Sequence, residues 1–184
     1  MPITIVRKQR PFPPQWRIMR RPMANQIPRQ WQGWLFASGS LTQRLVQASQ
    51  GHFKVQVIRN QCGVPSHCEA RAIGLKPRQV AIIREVKLCC YNQTWVCARS
   101  IIPYSTLRGP EKILANLGNK PLGSFLFQHR NMRRGTLQVA ALHQLINEHK
   151  SSHVYWSRRS VFYLNQRALL VSELFMPLMV ALKP

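Results

Sequence analysis

The chain has 184 residues, enough for one domain with a real core and too few for two of ordinary size. Its hydrophobic content of 45% excludes a disordered chain. The charge is unusual: 27 Lys and Arg stand against five acids, all of them glutamate, for a net +22, and such a field draws polyanions and small anionic substrates alike.

Residues 1–26 carry Pro2, Pro11, Pro13, Pro14 and Pro22 among basic residues and no acids, which is the composition of a flexible arm. Residues 27–184 then form the single expected domain. The arm lacks an apolar stretch before a small-residue cleavage site, so it is not read as a secretion signal. Trp16, Trp31 and Trp34 interleave with Arg17, Arg20, Arg21 and Arg29, a pattern able to stack on single-stranded nucleic acid. Trp31, Trp34 and Leu35 also share one helical face, and the core reading of that face is preferred.

Ser40 and Gln43 have capping-box spacing, followed by Leu41, Leu45 and Val46 on one helical face and by Gly51 as a stop. Phe53, Val55 and Val57 alternate with polar residues as in a half-buried strand. Gly63, Pro65, Gly74 and Pro77 mark residues 60–78 as loop. A strand then runs from Val80, and after the Tyr91-Asn92-Gln93 turn a second one places Trp95, Cys97, Arg99 and Ile101 on one face. Gly109-Pro110-Glu111 opens a helix with Ile113, Leu114 and Leu117 on its apolar side, and residues 121–127 form another short helix. Strand patterns return at residues 136–141 and 154–164, and Asn165-Gln166 turns the chain into a last strand. The expected fold class is α+β, an antiparallel sheet with helices packed on it.

The five cysteines, Cys62, Cys68, Cys89, Cys90 and Cys97, are odd in number and fit no disulfide framework. Cys62, His67 and Cys68 match no standard zinc spacing, so buried free thiols are expected and no metal. The apolar run over 168–182 is broken by Ser172, Glu173 and Pro177 and falls short of the roughly 18 residues that span a bilayer. A cytoplasmic protein is expected. No zinc-finger, basic-zipper or RNA-binding-sheet signature organises the basic residues.

Two charged residues stand on apolar strand faces. Val80, Ile82, Arg84, Val86 and Leu88 share one parity, with Arg84 the single intruder; Leu169, Val171, Glu173 and Phe175 share another, with Glu173 the intruder. Ions in an apolar interior need partners. Either the two pair with each other or lie at exposed strand ends, or they face a pocket in which Arg84 grips a carboxylate and Glu173 meets a hydroxyl or a proton. The second arrangement suits a small cyclic acid with a hydroxyl at the opposite end.

Three stretches resemble the chorismate lyase family of ubiquinone synthesis. They are Ile83-Arg84-Glu85-Val86; the run from Arg99 through Pro103, Ser105-Thr106-Leu107, Gly109-Pro110-Glu111 and Leu117-Gly118 to Pro121-Leu122-Gly123 and Leu126-Phe127; and Trp156 with Arg158-Arg159-Ser160 before Glu173-Leu174-Phe175 and Pro177. The resemblance implies a monomeric antiparallel sheet with helices on one side, no cofactor, and a pocket that converts chorismate to 4-hydroxybenzoate and pyruvate. Its ligand-contacting positions fall on Leu41, Arg84, Leu122 and Glu173, with Arg84 and Glu173 as the catalytic pair. Leu41 stands where the family has methionine, a change that a backbone contact would tolerate. Arg99 is a candidate for the second carboxylate of chorismate, with a structural role as the alternative. Two other classes remain: a non-catalytic small-molecule-sensing domain of the same fold, and a basic RNA-binding protein. The sensors follow a helix-turn-helix that residues 1–26 are too short and proline-rich to supply.

Overall fold

The computed structural model describes residues 16–18, 26–146 and 151–181, and most of the basic arm expected over 1–26 lies outside them. Eight antiparallel strands form one sheet: β1 (Arg17–Ile18), β2 (Phe53–Gly63), β3 (Ala81–Cys90), β4 (Gln93–Pro103), β5 (Met132–Arg134), β6 (Gln138–Ile146), β7 (Ser151–Leu164) and β8 (Arg167–Phe175). The spatial order is β1-β6-β7-β8-β4-β3-β2, and β5 pairs with the end of β7 that β6 does not reach. This is the α+β architecture expected from the sequence. Two tight turns set the register. Tyr91 and Asn92 join β3 to β4, Asn165 and Gln166 join β7 to β8, and all four residues have positive φ, the mirror-image turn geometry that matches strand twist.

Helices α1 (Arg29–Leu35), α2 (Leu41–Ala48) and α4 (Leu122–Gln128) cover one face of the sheet. Trp31, Trp34 and Leu35 are buried there, which fixes the core reading of the tryptophans and removes two of them from any nucleic-acid platform. Trp16 lies under the Arg159 guanidinium, 4.6 Å from its ring centre. Ser40 Oγ caps α2 by accepting the Gln43 N–H at 3.4 Å. Residues 109–116 wind as a 3-10 helix instead of the expected α-helix, and they bury Glu111 and Leu114. Two apolar clusters result, one around Trp34, Leu45, Val86 and Phe175 and the other around Ile102, Leu114, Leu126 and Leu169.

The sequence reading fails in four further places. Residues 60–78 are not all loop: β2 extends to Gly63, and α3 (His67–Ala72) follows with a complete capping box between Ser66 and Glu69. Six helical residues span fewer than two turns, too few to show a period between the flanking glycines and prolines. Val80 precedes β3 and is exposed. A bulge between Leu88 and Cys89 breaks the parity assumed for β4, so Trp95 packs in the cluster around Trp34 while Arg99 faces the other way. Cys62 is likewise exposed, in contact with the Tyr104 hydroxyl, where a buried thiol was expected. Among the described residues no helix is long and apolar enough to cross a membrane.

On the far face, α3 and the residues after it cover Ala81, Ile83, Ile101 and Leu170. Here Arg99 binds Glu69 at 2.7 Å and also Glu85. Burial works to raise the Glu69 pKa, but the hydrogen bonds and charge of Arg99, with the Ser66 N–H and hydroxyl, outweigh it and hold the carboxyl below its usual 4.5. A depressed carboxylate pKa stabilises the fold above the ordinary value and loses that contribution as pH falls through the folded-state value. Glu69→Gln should therefore melt below the wild type near neutral pH, and the gap should close below about pH 4.5. Thermal melts across pH 3–7 test this, and a gap independent of pH would exclude the linkage.

Candidate active site

The site is laid out by cross-strand rows on the helix-covered face. Val86, Ala98, Glu173 and Arg158 form one row across β3, β4, β8 and β7; Arg84, Ser100, Val171 and Ser160 form the next. Arg134 pairs with Phe162 one row further on. A cavity opens between these rows and the helices, in the gap between the two apolar clusters, with Val55, Val86, Leu88, Phe127 and Phe162 among its apolar walls. Four charged side chains line it: Arg84, Arg134, Arg158 and Glu173. Three cations and one anion leave the cavity with two net positive charges.

Arg84 is 2% exposed. Its Nη2 donates to the Gly118 carbonyl at 2.8 Å and the Lys120 carbonyl at 3.0 Å, while its buried Nε has no partner. Both acceptors belong to the turn before α4, where Gly118 has φ +53°, a conformation open to glycine. Among the described residues no carboxylate pairs with Arg84, and burial lowers its pKa. A guanidinium held by neutral carbonyls keeps its charge and its fork geometry, the features that suit bidentate contact with a carboxylate.

Glu173 does not pair with Arg84, so that alternative from the sequence is excluded. Its Oε2 accepts from Arg158 Nε at 2.5 Å, a direct cross-strand pair. Arg158 Nη1 donates to the carbonyls of Trp34, Leu35 and Ala37 at 3.0, 3.5 and 3.1 Å, so it satisfies the C-terminal end of α1. Oε1 of Glu173 has no hydrogen-bond partner among the described residues, and Glu173 lines the cavity.

Leu41 and Leu122 open α2 and α4 and both line the cavity. Their N–H groups belong to the first helical turn, where no carbonyl of the same helix can accept them. The two helices meet at Gly123, where an added Cβ would stand 2.9 Å from Thr42 Oγ1. All four residues picked out from the sequence, Leu41, Arg84, Leu122 and Glu173, therefore come together at one cavity. Arg99 does not join them; it is the structural arginine of the far face.

Sequence reasoning missed Arg134 and Arg158 as lining residues. Arg158 carried a usable signal: it shares a parity with Trp156, Phe162 and Leu164 and is an intruder of the same kind as Arg84. Arg134 carried none, because it ends a three-residue strand with no alternation to read.

Fold and cavity together define a class, a small α+β domain that holds a positively charged pocket for a small molecule between sheet and helices. The family follows from comparison with known proteins. The sequence model of chorismate lyase matches residues 18–181. A probable chorismate pyruvate-lyase of Marinobacter nauticus is 40% identical over 78% of this chain and 74% of its own. One from Aromatoleum aromaticum is 34% identical over 94% of this chain and 97% of its own. The chain belongs to the chorismate lyase family of enzymes. Among solved structures, PhnF of Mycobacterium smegmatis superposes with a TM-score of 0.56 at 12% identity, covering 77% of this chain and 65% of that one. A transcriptional regulator of the GntR family from Bacillus cereus gives 0.50 at 11%, covering 68% and 92%. These two likenesses concern the fold alone.

Breaking a buried ion pair from one side leaves an uncompensated charge, at a cost of about 3–5 kcal/mol. The side chains of Arg158 and Glu173 are 2% and 15% exposed, so Glu173→Ala and Arg158→Ala should each destabilise on that scale. The double variant should be well short of the sum, and chemical denaturation of all four proteins measures the coupling.

Proposed function

We propose that the cavity binds chorismate and releases 4-hydroxybenzoate and pyruvate, supplying the ring precursor of ubiquinone. The observation that carries this is Arg84: a buried cation without a counter-charge, on the cavity wall that also presents the free oxygen of Glu173. The register separates their Cα atoms by two strands and one residue pair, roughly 12 Å. Both side chains line the cavity, and a separation of that order suits a six-membered ring between guanidinium and carboxylate. Arg84 then holds the ring carboxylate with help from the Leu41 or Leu122 backbone N–H, and Glu173 accepts a hydrogen bond from the hydroxyl at the opposite carbon.

In the reaction, hydrogen leaves the hydroxyl-bearing ring carbon as a proton and its electrons enter the ring. The ring-to-ether C–O bond breaks, and the departing enolpyruvyl group takes a proton at its methylene carbon to become pyruvate. Aromatisation drives the step, so the protein has mainly to orient the ring and stabilise charge on the leaving group. Among the described residues Glu173 is the only carboxylate on the cavity wall, and no described histidine or lysine lines it. Its role as orienting group or as base is read from Glu173→Gln, which keeps a hydrogen-bonding side chain but cannot take the proton.

Purified protein given chorismate should form 4-hydroxybenzoate, followed in the ultraviolet, with pyruvate in equal amount. Losing one side of a desolvated charge pair costs about 2 kcal/mol or more, so Arg84→Ala should weaken 4-hydroxybenzoate binding by about 30-fold or more in calorimetric titration. Unchanged affinity in a folded variant would remove Arg84 from the site.

A further inference from the structure

We infer that Arg134 is the anchor for the second carboxylate of the substrate, the one on the enolpyruvyl side chain. This rests on the proposed chorismate reading and extends it to a residue that no sequence pattern marks.

The charges of the cavity single out Arg134. Of the three cavity cations, Arg158 is bound to Glu173 and to three carbonyls. Arg84 is assigned to the ring carboxylate. Arg134 remains, and every hydrogen bond it makes among the described residues goes to a neutral acceptor. Nε donates to Ser160 Oγ at 3.0 Å, and Nη1 donates to the carbonyls of Ala37 and Ser38, both at 3.1 Å. Its Nη2 is uncommitted. The cation is fixed in place by three contacts and lies over the Phe162 ring at 5.4 Å; no carboxylate of the described residues is within ion-pair distance of it, and Glu173 acts on it only through charge at longer range. A pocket with two unpaired guanidiniums is matched to a ligand with two negative charges.

Position agrees with charge. Along the sheet the order is Arg84 on β3, Glu173 on β8, Arg158 on β7 and Arg134 on β5. In chorismate the ring carboxylate lies at one end, the hydroxyl at the opposite carbon, and the enolpyruvyl ether on the carbon beside that hydroxyl. With the ring carboxylate on Arg84 and the hydroxyl on Glu173, the side chain leaves the ring sideways, from the carbon beside the hydroxyl, and the ring orientation that turns it towards β5 brings it to the Arg134 side. Arg134 is the uncommitted cation on that side. A fixed donor at the carboxylate of the departing pyruvate also stabilises the charge that builds on the leaving group. The product 4-hydroxybenzoate lacks this carboxylate, so the contact is lost when pyruvate leaves.

The test pairs a substrate change with a residue change. Wild-type kcat/KM is measured for chorismate and for its side-chain methyl ester, which removes the second charge, and the same ratio is then measured for Arg134→Gln. The wild type should prefer the acid by about 30-fold or more, and in the variant the preference should shrink to within about 3-fold. Affinity of the variant for 4-hydroxybenzoate should stay within about 3-fold of wild type, whereas Arg84→Ala loses it. A purely structural Arg134 would lower both substrates and the product together and leave the preference intact, which would overturn the assignment. So would a wild type that treats acid and ester alike, a result that needs no variant. If the wild type forms no product from chorismate, the proposed function itself fails, and that outcome is separate from either of these.

Discussion

Arg158 is the interaction on which the cavity depends. One buried guanidinium pairs with Glu173 across β7 and β8 and, with a different nitrogen, holds the carbonyls of Trp34, Leu35 and Ala37. The sheet and the end of α1 are thereby tied through a single side chain. The chain leaving α1 runs directly into Ser40 and Leu41, so the same contact sets where α2 begins and where its first N–H groups stand. Glu173 is fixed in turn, with one oxygen occupied and one available. A carboxylate in this setting without Arg158 would be an unpaired buried charge, which the fold could not hold in place.

The other two cavity arginines follow a different logic. Arg84 and Arg134 are each bound by neutral acceptors that fix their geometry without cancelling their charge. An ion-paired arginine would have to break its pair to receive an anionic ligand, whereas these need only exchange solvent for it. The cost appears as desolvation, which is the first cause lowering the pKa of both groups. Preorganised charge is how a pocket favours a transition state that spreads negative charge over a leaving group, as that of the proposed reaction does. Arg99 shows the contrast on the far face of the same sheet: bound to Glu69 and Glu85, it holds structure together and has nothing left for a ligand.

The likeness to bacterial transcription regulators is informative because it stops at the fold. The same sheet with helices occurs in a transcription regulator and in this enzyme family, and architecture alone does not distinguish the two. Family membership rests on sequence over most of the chain, and the charge layout inside the cavity is what the proposed reaction requires. The large positive net charge of the chain is compatible with a dianionic substrate.

Local pattern was enough for most strand faces, both hairpin turns, the buried tryptophan helix and the two charges, Arg84 and Glu173, that stand on apolar faces. Each is a local matter: side chains alternate along a strand, tight turns demand positive φ, and a single charge on an apolar face is conspicuous wherever it falls. It also supplied the family motif that pointed to Leu41 and Leu122. Tertiary structure alone decided which charges meet. Glu173 could not be assigned to Arg158 over Arg84 until the β7–β8 register was fixed, and a one-residue bulge in the β3–β4 ladder was enough to make the shared face of Trp95 and Arg99 illusory. Arg134 could be placed only by the fold, because a three-residue strand has no period and its partners, Ala37, Ser38 and Ser160, lie far off in the chain. Pattern along a chain reports which way a side chain points, and pairing between distant segments decides what it finds there.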